Sequence, residues 1–118
     1  MFLKNAWYVA GWSKEYGQKL VAQKLLNECV VLYRKQDGTP VALEDACPHR
    51  KLPLSKGSLK NDAIECGYHG LTFDGSGKCV AAPTQPEQIP EKARVRSYPV
   101  VDRYRLLWIW MGEPELAD

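Results

Sequence analysis

The sequence predicts an all-β fold. Apolar stretches of strand length recur along the chain, turn residues separate them, and almost nothing repeats at helical spacing. Several short strands so spaced make an antiparallel sandwich or barrel. At 118 residues the chain is one domain's worth, large enough to bury one core but not two.

The elements read in order as follows. Residues 7–10, Trp-Tyr-Val-Ala, form a short strand that Gly11 is expected to stop. Ser13 is placed to cap a single helical turn running to Gly17. Strands are expected over 19–26 and 29–35, with Asn27-Glu28 as a two-residue turn between them. In the second run Val31, Tyr33 and Lys35 alternate with Val30, Leu32 and Arg34. Asp37-Gly38 is a stronger turn signal and leads into a strand at 41–44. The stretch 47–77 is dense in Pro, Gly and Ser, with short strands expected at 63–65 and 71–73. Residues 81–92 carry Pro83, Pro86 and Pro90, too many prolines for a central strand. The chain ends in an expected hairpin of 98–101 and 106–110, joined around Asp102-Arg103-Tyr104.

Composition excludes several functions. Sixteen basic against fourteen acidic residues leave a net charge of +2, too balanced for a chain that grips nucleic acid. The longest apolar run, Leu106 to Met111, is six residues, whereas a bilayer-spanning helix needs about 20. A polar residue interrupts the N-terminus before a signal-type apolar stretch can form. With no such signal, the four cysteines read as metal ligands or core residues rather than disulfides. A cytoplasmic location is expected.

The chemistry lies in two short motifs. Cys47-Pro48-His49 is a Cys-x-His pair, and after sixteen intervening residues comes Cys66-Gly67-Tyr68-His69, closed by Gly70. These motifs use both histidines of the chain. A single zinc ion accepts two Cys and two His, but its usual spacings pair Cys with Cys and His with His. One thiol and one imidazole in each loop fit a [2Fe–2S] cluster with mixed ligation, the Rieske arrangement in which two histidines replace two cysteines on one iron. Thiolates are soft anionic donors for an inner ferric iron, and neutral imidazoles leave the outer iron less negative and easier to reduce.

The run Cys47-Pro48-His49-Arg50, Pro53-Leu54-Ser55, Gly57, Cys66-Gly67-Tyr68-His69-Gly70-Leu71 and Phe73-Asp74 resembles the Rieske domain of ring-hydroxylating and O-demethylating oxygenases. The opening Asn5 to Ala10 and the closing Leu107-Trp108-Ile109-Trp110 extend the similarity over nearly the whole chain. It is most like the oxygenase components of vanillate and dicamba demethylases. The resemblance implies a Rieske fold, with a β-sandwich base and a cluster-binding subdomain of two hairpin loops at about 46–80. It also implies Cys47 and Cys66 on the inner iron and His49 and His69 on the outer one. Respiratory Rieske proteins differ in carrying an extra cysteine in each loop, where this chain has Leu52 and Tyr68. They also have a serine and a tyrosine donating to cluster or ligand sulfur. Here Leu71 and Phe73 stand in those places, and neither can donate.

By the same resemblance, the function expected of residues 1–118 is electron transfer from a reductase to the mononuclear iron of an oxygenase. The donor would be a flavin/iron–sulfur reductase or a ferredoxin, and the acceptor an oxygenase catalytic domain, in an enzyme that often assembles as a homotrimer. That iron needs a two-histidine, one-carboxylate triad, and no histidine remains for it, so the catalytic domain is expected to be absent from these residues. A complete stand-alone Rieske ferredoxin is the alternative. Other conspicuous residues have plain readings. Cys29 and Cys79 are expected as small buried hydrophobes, Trp108, Trp110, Tyr98 and Tyr104 as packing residues, and Arg50 and Lys51 as solvated loop charge or a guide for an acidic donor.

Overall fold

The alternating run around Val30 becomes the middle of the molecule. In the computed structural model, which describes residues 6–46, 53–66, 71–81 and 94–113, β2 (Val21–Leu25), β3 (Glu28–Arg34), β4 (Pro40–Glu44) and β9 (Ser97–Tyr98) form an antiparallel sheet in the order β2-β3-β4-β9. Val30, Val31, Leu32 and Tyr33 are all fully buried, which requires cover on both faces of the sheet.

A second layer supplies one cover. β1 (Trp7–Trp12), β10 (Val100–Arg103) and β11 (Leu106–Trp110) form a sheet in the order β1-β11-β10. Its inward residues Ala10, Leu107 and Ile109, with Met111, close on Val30, Leu32, Ala42 and Tyr98. The other cover is a small sheet in the order β5-β6-β7-β8, made of β5 (Ser58–Lys60), β6 (Ala63–Glu65), β7 (Thr72–Phe73) and β8 (Cys79–Ala81). Ile64, Phe73, Cys66 and Cys79, together with Leu54 and Val95, pack there against Val31, Tyr33, Val41 and Leu43. The expectation of one core is therefore corrected: period-2 alternation sends neighbouring residues of β3 and β4 into two separate apolar clusters. The all-β prediction holds, and every strand pair is antiparallel.

Element boundaries shift for local reasons. β1 runs through Gly11 to Trp12, with a register irregularity between Val9 and Gly11 absorbing the glycine. Three two-residue turns use a left-handed pair without glycine: Leu26-Asn27, Asn61-Asp62 and Tyr104-Arg105. The first is shifted one residue from the expected Asn27-Glu28, and the last starts at Tyr104, the end of the expected Asp102-Arg103-Tyr104 joint. The run expected at 98–101 is split at Pro99, so that Tyr98 pairs with Ala42 while Val100 pairs with Ile109 in the other sheet. Ser13 is not the cap but the first residue of a 3-10 turn, Ser13–Glu15. Its hydroxyl donates to Asp102 at 2.7 Å and accepts from Arg34 at 2.6 Å, while Arg34 also reaches Asp102 at 2.8 Å. Because Arg34 lies on β3 and Asp102 on β10, this trio ties the two larger sheets together.

Two residues contradict their expected burial. Cys29 is exposed, because the apolar cluster on its face of β3 begins only at Val31. Tyr104 is 85% exposed because it occupies the turn rather than a strand. Trp110 is buried and meets Trp7 edge to face at 5.4 Å. The proline-rich residues 82–92 lie outside the described residues.

Tyr33 gives the fold an alkaline limit. Its hydroxyl donates to the Asp62 carbonyl at 2.8 Å. Burial first, then the charges of Asp62 and Asp74, push its pKa up to about 12 from 10.0. The folded pKa exceeds the unfolded one, so the stability it contributes is intact below pH 10 and disappears as pH rises from 10 to about 12. Tyr33→Phe is expected to flatten that part of the stability profile, read as the urea midpoint against pH. An unchanged alkaline slope would contradict it.

Candidate metal centre

The residues flanking the two ligand-bearing segments lie on the small sheet and its approach. The first, 47–52, leaves from Asp45-Ala46 after β4 and returns at Pro53 into a 3-10 turn, Leu54–Lys56. The second, 67–70, leaves from Cys66 at the end of β6 and returns at Leu71 into β7. Of the four expected ligands, Cys66 lies in the described structure, while Cys47, His49 and His69 lie outside the described residues, as do Arg50, Lys51, Leu52 and Tyr68. Among the described residues no three His, Cys, Asp or Glu side chains converge on a common point.

Cys66 sits where a buried thiolate ligand is expected. Its residue is 2% exposed and belongs to the cluster of Leu54, Ile64 and Phe73. Its backbone N–H donates to the Leu71 carbonyl at 2.6 Å, which closes the loop containing His69 at its base. A soft thiol in apolar surroundings, three residues before His69 in sequence, suits the inner iron of a mixed-ligand cluster.

Three residues hold the feet of the loops. Asp45 is the buried charged side chain among the described residues. Its carboxylate accepts from the Ser55 backbone N–H and the Ser55 hydroxyl, both at 2.7 Å. Gly57 presses against the other loop: a Cβ on it would stand 2.1 Å from the Glu65 carbonyl oxygen and 3.3 Å from the Cys66 Cα. Ser58 pairs with Glu65 immediately beyond, so the return of the first loop and the departure of the second are in backbone contact. Spacing did not single out these residues for a role. The one available signal for Asp45 was an acidic residue closing the apolar run of β4 just before Cys47.

Leu71 packs against the same cluster as Cys66, and Phe73 is fully buried within it. The surroundings of this loop on the described side are thus apolar. Cys79 lies in that cluster too, 2% exposed, in keeping with a packing role.

A small antiparallel sheet with a buried thiol at the end of β6, in backbone contact at Gly57 with the return from the Cys47–His49 segment, is the frame of an iron–sulfur domain of the all-β class. The chain belongs to the Rieske [2Fe-2S] domain family, whose model matches residues 6–99, and its cofactor is a Rieske-type [2Fe–2S] cluster. It is 52% identical, over its whole length, to a putative toluene-4-sulfonate monooxygenase system iron–sulfur subunit of Comamonas testosteroni, covering 34% of that protein. It is 49% identical to the oxygenase component of dicamba O-demethylase of Stenotrophomonas maltophilia, over 99% of this chain and 34% of the relative. A vanillate O-demethylase oxygenase subunit of a Pseudomonas strain is 43% identical over the full chain and 33% of its own length. The crystal structure of apo dicamba monooxygenase superimposes with a TM-score of 0.95 over 99% of this chain and 36% of that one. The chain spans about a third of the length of these relatives. No helix among the described residues is long and apolar enough to cross a membrane.

Proposed function

We propose that this domain receives electrons from a flavin/iron–sulfur reductase or a ferredoxin and delivers them to the mononuclear iron of an aromatic-ring oxygenase or O-demethylase. The cluster supplies one-electron redox chemistry. The residues that would hold it are Cys47 and Cys66, on the inner iron, and His49 and His69, on the outer one, in a subdomain at about 46–80. The single observation carrying this reading is the placement of Cys66: its thiol is buried, its backbone N–H bonds the Leu71 carbonyl across the His69-bearing segment, and its Cα lies against Gly57 on the return from the Cys47–His49 segment.

The assignment to an oxygenase follows from similarity to oxygenase components. Since the chain has two histidines and both are assigned to the cluster, the catalytic iron is placed on residues outside these 118; a homotrimeric full enzyme is proposed from the resemblance to such oxygenases alone. A cytoplasmic setting keeps the thiols reduced for cluster assembly. The near-neutral charge of +2 gives no footing for nucleic acid as a partner.

The test is a reduced-state EPR spectrum with iron and sulfide analysis and a redox titration. About two irons per chain and a rhombic signal of mixed His/Cys ligation are expected. Leu71 and Phe73 bring no hydroxyl donor to the sulfurs, so the reduced cluster is less stabilised and its potential should be on the order of −150 mV, the low end of the Rieske range. A potential above zero contradicts the tuning argument. A single zinc and no EPR signal overturn electron transfer.

A further inference from the structure

We propose that Asp45 is a positioning residue that ties together, as a latch through Ser55, the two ends of the segment carrying Cys47 and His49, and so governs how firmly the chain retains its cluster. The inference rests on the assignment of Cys47 and His49 as ligands. Asp45 stands directly before that segment and Ser55 directly after its return, and the two join across residues 46–54. Both carboxylate oxygens are used, one on the Ser55 N–H and one on its hydroxyl, each at 2.7 Å. An anionic acceptor with two short bonds to one residue fixes orientation as well as distance.

Each end of the latch is anchored independently. The Asp45 N–H donates to the Cys29 carbonyl at 2.9 Å, which secures it to β3. Ser55 sits between Leu54, fully buried beside Cys66, and Gly57, whose N–H returns to the Leu54 carbonyl at 2.9 Å. Asp45 itself is 8% exposed, and a carboxylate is seldom withdrawn so far from water unless its partners are fixed. The latch therefore joins β3 of the central sheet to the foot on which Cys66 packs. Opening it releases one end of the segment bearing Cys47 and His49 while leaving both apolar clusters intact.

The test uses the full chain loaded with its cluster under anaerobic conditions. Iron release to a ferrous chelator, the reduced EPR signal and urea unfolding are compared for wild type, Ser55→Ala, Ser55→Thr and Ile109→Val. Ser55→Ala loses one charge-assisted bond and keeps the N–H bond. It is expected to release iron about tenfold faster, the factor corresponding to one such bond, with a shifted or broadened EPR signal. Ser55→Thr restores the hydroxyl and is expected to restore both readouts. Ile109→Val weakens the opposite core and is expected to lower the urea midpoint with iron release at the wild-type rate. Wild-type release and an unaltered signal in Ser55→Ala overturn the latch. So does Ile109→Val accelerating release as much as Ser55→Ala for the same loss of stability, because retention then merely follows global stability. A wild-type chain that takes up no iron–sulfur cluster overturns the ligand assignment, and the latch with it.

Discussion

Gly57→Ala is expected to abolish most cluster incorporation while leaving the two larger sheets folded. The added Cβ would stand 2.1 Å from the Glu65 carbonyl oxygen and 3.1 Å from its carbon. Both are backbone atoms, so no rotamer change relieves the overlap. The β5–β6 pairing through Ser58 and Glu65 must open, at a cost of roughly 3 kcal/mol, the upper end for overpacking a close contact. That movement separates the return of the Cys47–His49 loop from the departure of the Cys66–His69 loop. Iron per chain is expected to fall to roughly a tenth of the wild-type two. The four tryptophans of the chain are Trp7, Trp12, Trp108 and Trp110, all on β1 and β11, so intrinsic fluorescence reports the sheet remote from the loops. It should keep its folded spectrum. Gly17→Ala is the control, since a Cβ there meets nothing within 4 Å. Normal iron content in Gly57→Ala would show that the contact does not set the separation of the loops.

What the sequence revealed and what it concealed divide along a physical line. Ligand chemistry is local: Cys47-Pro48-His49 and Cys66 to His69 state their donors within three or four residues, and the family match confirms the kind of domain those donors imply. Strand identity is nearly as local, because the alternation in β3 survives in any surroundings. The turns were less visible. Leu26-Asn27 and Tyr104-Arg105 adopt left-handed conformations with no glycine to announce them, so their hairpins were placed a residue or more away. β5 and β8, each three residues, were hidden in a segment dominated by turn formers. Least visible were contacts distant in sequence. Nothing in the composition around residue 45 says that its carboxylate meets Ser55, nor does a glycine at 57 say which carbonyl approaches it. Cys29 shows the same limit from the other side: its apolar run pointed to burial, but it is exposed, because where cover on its face of β3 ends is a property of the small sheet.

The cysteines offer a test in which burial is held constant and chemistry alone varies. Cys66 and Cys79 are both 2% exposed and share one apolar cluster, so replacing either with alanine removes a similar volume from similar surroundings. The packing cost should be roughly 1 kcal/mol in each case. Iron content should nevertheless diverge completely, falling to none for Cys66→Ala and staying at the wild-type value for Cys79→Ala. Stability should diverge with it, because a bound cluster stabilises the folded state and its loss removes that contribution. Cys66→Ala should therefore unfold in urea about where the wild-type apoprotein does, whereas Cys79→Ala should stay within roughly 1 kcal/mol of the loaded wild type. If both variants held iron, Cys66 would be a core residue like its neighbour. If both lost it, the shared cluster rather than the Cys66 thiolate would be what the metal centre depends on. Only the divergent result assigns the inner ligand to the residue whose N–H closes the His69 loop.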